Sequence, residues 1–226
     1  MRIGLALALL SLSYVLGHAA PFENLAFDQA NTNRVIPQDG APFRGVGTTE
    51  DLLPGWQLSK GAAPQATLGL NLSLLGPGYA TLISADQSDS FQFPVEGKYA
   101  LYLVGSPGNQ DPFSISQRGE VPLDARLLTF HYSGYGFVVT ADNKPLSAAI
   151  STPTMQAFDI SAFEGQTIDL KLTAAGPLMP TQSGSTFIDS IAFTVPEPSP
   201  LSLALIGVVG ICLAFRSRSS KACRRH

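Results

Sequence analysis

Between residues 20 and 195 the chain alternates apolar and polar side chains in steps of two, and this period constrains the fold more than any other feature. A β-strand turns successive side chains to opposite faces, so alternation describes a sheet with one face on a core and one on water. Thr167–Thr173 sets Ile168, Leu170 and Leu172 on one side, and Leu128, Phe130 and Tyr132 do the same before Gly134 interrupts. Residues 99–104 and 136–141 are rich in β-branched and aromatic side chains, and 187–194 closes the series. Asp142–Pro145 predicts a hairpin turn, and 76–78 and 106–109 predict loops. The 21 glycines and 17 prolines favour many turns over long helices. Strands at this spacing, without alternating helices, predict one all-β domain over residues 20–194, an antiparallel β-sandwich. Gln38–Pro54, rich in Gly, Thr and acidic residues, reads as a surface loop between the first strands.

The two ends have a different character. Residues 1–19 read as a signal peptide: Arg2 supplies the positive start, Ile3 to Leu16 the apolar stretch, and Gly17-His18-Ala19 the small residues a signal peptidase reads. At the other end, Val195–Pro200 carries three prolines and leads into an apolar run over 201–215, followed by Arg216, Arg218, Lys221, Arg224 and Arg225. The prolines keep the linker extended and stop a helix from propagating backwards. Fifteen apolar residues make a helix of about 22 Å, short of the roughly 30 Å hydrocarbon core of a bilayer, a gap that local thinning and snorkelling arginines can close. The basic cluster holds that end in the cytoplasm, which leaves the domain outside.

In that order, Pro196-Glu197-Pro198, an apolar helix and a basic end resemble the PEP-CTERM sorting signal recognised by exosortases, membrane enzymes that cleave such tails. The resemblance covers residues 195–226. It implies an exported bacterial surface protein, parked transiently in the inner membrane by a transmembrane helix over 201–215 and then cut, leaving the domain at the cell surface or in the extracellular matrix.

Charge and cysteine content narrow the middle. Of the 14 basic residues, Arg2 lies in the leader and five lie in the tail, leaving eight for the domain against 16 of the 17 acidic ones. An acidic domain repels phosphate backbones, so nucleic acid is not an expected partner. Both cysteines, Cys212 and Cys223, lie in the tail, so the domain has neither a disulfide framework nor a thiolate metal site.

Individual residues offer a few sites. Asp189 alternates onto the same face as Phe187, Ile191 and Phe193, and a carboxylate among apolar side chains must be paired, hydrogen-bonded or metal-bound. Backbone amides would satisfy it as well as a metal would. Trp56, the only tryptophan, suits either a stacking platform for a sugar ring or the packed core. His131 lies opposite Leu128 and Phe130 on its strand, a surface position, and no Gly-x-Ser-x-Gly elbow accompanies it. Asp86 and Asp89 sit in a polar stretch that reads as a solvated loop. No zinc motif, phosphate loop or dinucleotide fingerprint is present.

A second resemblance spans most of residues 22–194. The segments 25–28, 53–56, 115–117 with Gly119 and Val121-Pro122, 158–166 and 187–191 are similar to the galactose-binding-like, jelly-roll β-sandwiches found in several PEP-CTERM surface proteins. Phe158–Gln166, a strand, a short turn and a return strand, is the most specific piece. This resemblance implies a jelly roll with a structural calcium where first and last strands meet, near Asp28 and Asp189, through oxygen ligands that suit that ion. Such domains often bind sugars. The expectation is a non-catalytic sandwich that binds or scaffolds extracellular polysaccharide, with a structural protein lacking a glycan ligand, or an extracellular hydrolase, as the alternatives.

Overall fold

The computed structural model describes residues 20–38, 40–72, 80–90, 96–104, 111–175 and 185–194. Residues 1–19, and the tail with Pro196, Glu197, Pro198 and the 201–215 run, lie outside them. Among the described residues no helix is long and apolar enough to cross a membrane.

The architecture is all-β, two sheets facing one another. The larger sheet runs, in spatial order, β1 (Ile36–Gln38), β2 (Ala41–Thr48), β5 (Thr67–Leu70), β6 (Ala80–Ser84), β7 (Tyr99–Val104), β15 (Ser185–Thr194), β9 (Leu127–Gly134), β13 (Met155–Asp159) and β12 (Ala148–Ser151). The smaller runs β11 (Lys144–Pro145), β10 (Phe137–Ala141), β14 (Thr167–Ala174), β8 (Phe113–Glu120), β3 (Gln57–Lys60) and β4 (Ala63–Pro64). Neighbouring strands are antiparallel except β5 and β6, a short parallel pair at Gly69↔Thr81 and Leu70↔Leu82.

The period-two segments fold as expected, and burial shows why. Along β14 the inward set is Ile168, Leu170, Leu172 and Ala174, and on β10 it is Phe137, Val139 and Ala141. Facing them from the larger sheet are Leu128, Phe130 and Tyr132 of β9 and Leu101 and Leu103 of β7. Phe130 packs edge-on to Phe137 and stacks on Phe158, with centroids 5.5 and 5.8 Å apart, joining the two layers. The 142–145 turn is a two-residue hairpin, with Asp142 and Asn143 at φ 47° and 62°, the positive values such a turn demands.

The stretch Gln38–Pro54 differs from expectation. It holds β2 and a short helix, α1 (Thr49–Leu52), and Leu52 and Leu53 are fully buried. Its glycines are packing devices: a Cβ on Gly45 would collide with the Ile36 carbonyl and the Val35 side chain, and one on Gly47 would press on Leu52. Small residues let β1 and the helix approach β2 closely. Thr48 caps the helix, its hydroxyl accepting from the Asp51 N–H (3.1 Å) and donating to the Asp51 carboxylate (2.8 Å).

Candidate functional site

Strand β15 lies between β7 and β9, and its ladder with β9 is interrupted between Asp189 and Ala192. Ser190 sits there at φ 52°, the left-handed conformation of a bulge residue. The bulge changes which side chains share a face. Ile188 and Ile191 belong to the main core, whereas Phe187 joins Ile83, Ala100 and Tyr102 in a separate cluster. Asp189 therefore shares the outer face of the larger sheet with Phe187, and Ile191 points the other way. Alternation located its burial and its companion Phe187, but not Ile191 or Phe193, which belong to the main core.

Asp189 is 0% exposed because the chain entering β7 covers it. Its Oδ2 accepts the Glu96 N–H at 2.7 Å and its Oδ1 the Ser190 N–H at 2.7 Å. Burial pushes its pKa up to about 6; the two backbone N–H groups oppose this, and the neighbouring Glu96 and Asp28 charges add to it. Asp28 anchors the same segment, its Oδ1 accepting from Lys98 N (2.6 Å) and Tyr99 N (3.3 Å). Gly97, at φ 78°, lies so close that a Cβ would collide with the Asp28 carboxylate. The Glu96 side chain ties the cover down: one oxygen is 2.7 Å from His131 Nδ1, and the other accepts the Ser190 hydroxyl at 2.7 Å.

Asp28 and Asp189 thus converge on one short segment. They do not by themselves make a calcium site. A calcium ion takes six to eight oxygens, whereas three of these four carboxylate oxygens already accept backbone N–H groups. Among the described residues no group of three or more His, Cys, Asp or Glu side chains is placed to hold a metal ion. Nor is there a hydrolytic triad in this cluster. The carboxylate stands between His131 and Ser190, whereas a Ser–His–Asp relay needs the imidazole in the middle.

Trp56 is packed in the core at 4% exposure, its ring 6.1 Å from Phe27 and its indole N–H donated to the Asn24 carbonyl. Gln117 fixes the same corner, accepting from Glu23 N (2.8 Å) and donating to the Gly55 carbonyl (2.7 Å).

The outer face of the smaller sheet is a different kind of surface. Register lines up Gln57, Ser116, Lys171 and Thr140 across four strands, with Ser59, Ser114, Thr173 and Val138 in the next row. Strand spacing makes the span of each row about 14 Å. Arg118 and Asp169 pair on β8 and β14 at 2.9 Å, and both are exposed. The hairpin brings Asn143 to the rim: Asp142 Oδ1 accepts the Asp169 N–H (2.9 Å), and Asp142 N donates to the Asp169 carbonyl (3.0 Å). Together Gln57, Ser116, Arg118, Asn143, Asp169 and Lys171 line a shallow groove of about 360 Å³. The groove offers amides, a hydroxyl and charged groups, donors and acceptors side by side, and no aromatic ring lines it. Sequence reasoning passed these residues over, although they are the polar half of the alternation that located the core; Glu96 carried no comparable signal.

No protein-family model matches the chain, and no curated protein matches it. Among solved structures, one similar chain is the carbohydrate-binding module TmCBM61 in complex with β-1,4-galactotriose, at 14% identity and a TM-score of 0.37, the match covering 62% of this chain and 88% of that one.

Proposed function

We propose that the chain is an exported, non-catalytic jelly-roll sandwich that binds extracellular polysaccharide along the outer face of its smaller sheet. Its carboxyl-terminal tail is the substrate of an exosortase-type enzyme. The observation that carries the binding reading is the groove: amide, hydroxyl and charged groups set in register on a sheet backed by the core. A sugar hydroxyl both donates and accepts, so it matches a surface that alternates the two capacities. Strands hold such groups in place more firmly than loops do, which lowers the entropy lost on binding.

The Pro196-Glu197-Pro198 motif, the apolar run and the basic end support the sorting reading by their order. Calcium enters only as an addition: with Asp28 and Asp189 converging on residues 96–99, an ion would need further oxygens beyond these two side chains.

A glycan array probed with the full chain in neutral detergent tests the binding reading. Binding that Arg118→Ala and Gln57→Ala weaken, at unchanged melting temperature, is the expected result. Silence across the array favours the structural protein, and reproducible cleavage of any polysaccharide favours the hydrolase. Intact mass of the protein from native surface material tests sorting: the expected species lacks the residues beyond the Pro-Glu-Pro region, and one retaining Arg225 defeats it.

A further inference from the structure

The charges in the groove do not cancel. Its charged side chains are Arg118, Asp169 and Lys171. Arg118 and Asp169 neutralise each other at 2.9 Å, which leaves Lys171. Its cross-strand neighbours are Ser116 on β8 and Thr140 on β10, both uncharged. Among the described residues it has no ion-pair partner. The residue as a whole is half-buried, as expected of a lysine whose aliphatic stem lies along a sheet and whose charged end reaches water. Asp169, two residues along the same strand and face, is engaged by Arg118, in a domain where acidic residues outnumber basic ones two to one.

Resting on the glycan-binding reading above, we infer that the groove takes an acidic polysaccharide, with the carboxylate of a uronate residue seated on the Lys171 ammonium. The ammonium brings three donors and a compact positive charge, which suits a carboxylate of variable orientation. The amides of Gln57 and Asn143 stand in the same groove to meet hydroxyls of the same sugar or its neighbours. The Arg118–Asp169 pair is already neutral, so it contributes hydrogen bonds without adding to the attraction. Because the rest of the domain is acidic, a polyanion is held at this face and repelled elsewhere, which fixes where the chain docks.

The test compares polygalacturonate with its fully methyl-esterified form, the same backbone with its carboxylates masked. Calorimetry with the full chain in neutral detergent at low salt is expected to give about tenfold tighter binding to the free acid, the effect of one charge-assisted contact. Raising the salt to about 0.5 M should remove most of that preference, because exposed charges are screened. Lys171→Gln should abolish the preference, so that free acid and ester bind alike, while Lys171→Arg should keep it. Equal affinity for the two forms, or a preference that survives Lys171→Gln in a protein that melts normally, overturns the inference and leaves the glycan reading standing. Failure to bind either polymer or any neutral glycan overturns both.

Discussion

Changing pH across the range in which Asp189 titrates should alter stability in a direction that the site fixes. In the folded protein the carboxyl holds its proton up to about pH 6, chiefly because the covering segment excludes water from it. Unfolded, it reverts to the ordinary aspartate value of 3.8. The folded state therefore binds more protons than the unfolded state between those values, and stability falls as pH rises through that window. The contribution is favourable below about pH 4, is lost through about pH 6 and stays lost above. A displacement from 3.8 to about 6 corresponds to roughly 3 kcal/mol at neutral pH. Asp189→Asn removes the titration while keeping one carbonyl acceptor, but its amide group then faces one of the two N–H groups, at a cost of about 1–3 kcal/mol. Urea denaturation of both proteins at pH 4, 5, 6 and 7 isolates the effect. The stability advantage of wild type over Asp189→Asn should shrink by about 3 kcal/mol from pH 4 to pH 7. Parallel curves for the two proteins would refute the reasoning. A chelator adds a second check: calcium bound at Asp28 and Asp189 would favour the ionised carboxylate and reverse the trend, whereas amides alone give the same curve with and without it.

Other perturbations probe separate parts of the molecule. Gly45→Ala forces a methyl group into the Ile36 carbonyl and should cost about 1–3 kcal/mol in chemical denaturation, as overpacking does; an unchanged midpoint would show that β1 does not sit against β2 as described. Trp56→Ala should cost about 3–5 kcal/mol by emptying a core site, and wild-type tryptophan fluorescence should be blue-shifted and insensitive to any glycan. Arg118→Ala should leave stability within about 0.5 kcal/mol, since it breaks an exposed pair, and any larger loss in thermal melting would show that the pair holds the sheet together.

What the sequence disclosed follows from where each signal resides. Ile168, Leu170 and Leu172 were legible because alternation and burial are the same fact in a strand with one wet face. Strand β2 was hidden because Gly45 and Gly47 carry no side chain to register the period, and their purpose appears only when β1 and α1 are laid beside them. Asp28 and Asp189 were paired through a resemblance, and they do meet on the segment Glu96–Tyr99. The partners they use are backbone amides from another part of the chain, which no side-chain pattern encodes. The alternation held from Phe187 to Asp189 and failed beyond it, because one residue inserted at the bulge reverses the parity of Ile191 and Phe193.

The chemistry of the groove also bears on how such a chain would work at a surface. Aromatic platforms contribute large contact areas at little entropic cost, and the single tryptophan here is spent on the core, its indole N–H bound to Asn24. A groove that relies on hydrogen bonds gains about 0.5–1.5 kcal/mol from each, net of the water it displaces. Some four or five such contacts, less the entropy lost on association, leave single-site binding no tighter than about millimolar. Weak single-site binding becomes firm retention only where many copies face one long polymer, since linked sites raise effective concentration by orders of magnitude. Display of many domains on one surface, the outcome the sorting tail is proposed to serve, is the arrangement in which a ring-free groove of this kind is sufficient. The uncompensated charge of Lys171 acts in the same sense, because an acidic polymer repeats its carboxylate along its length and offers every displayed copy the same partner.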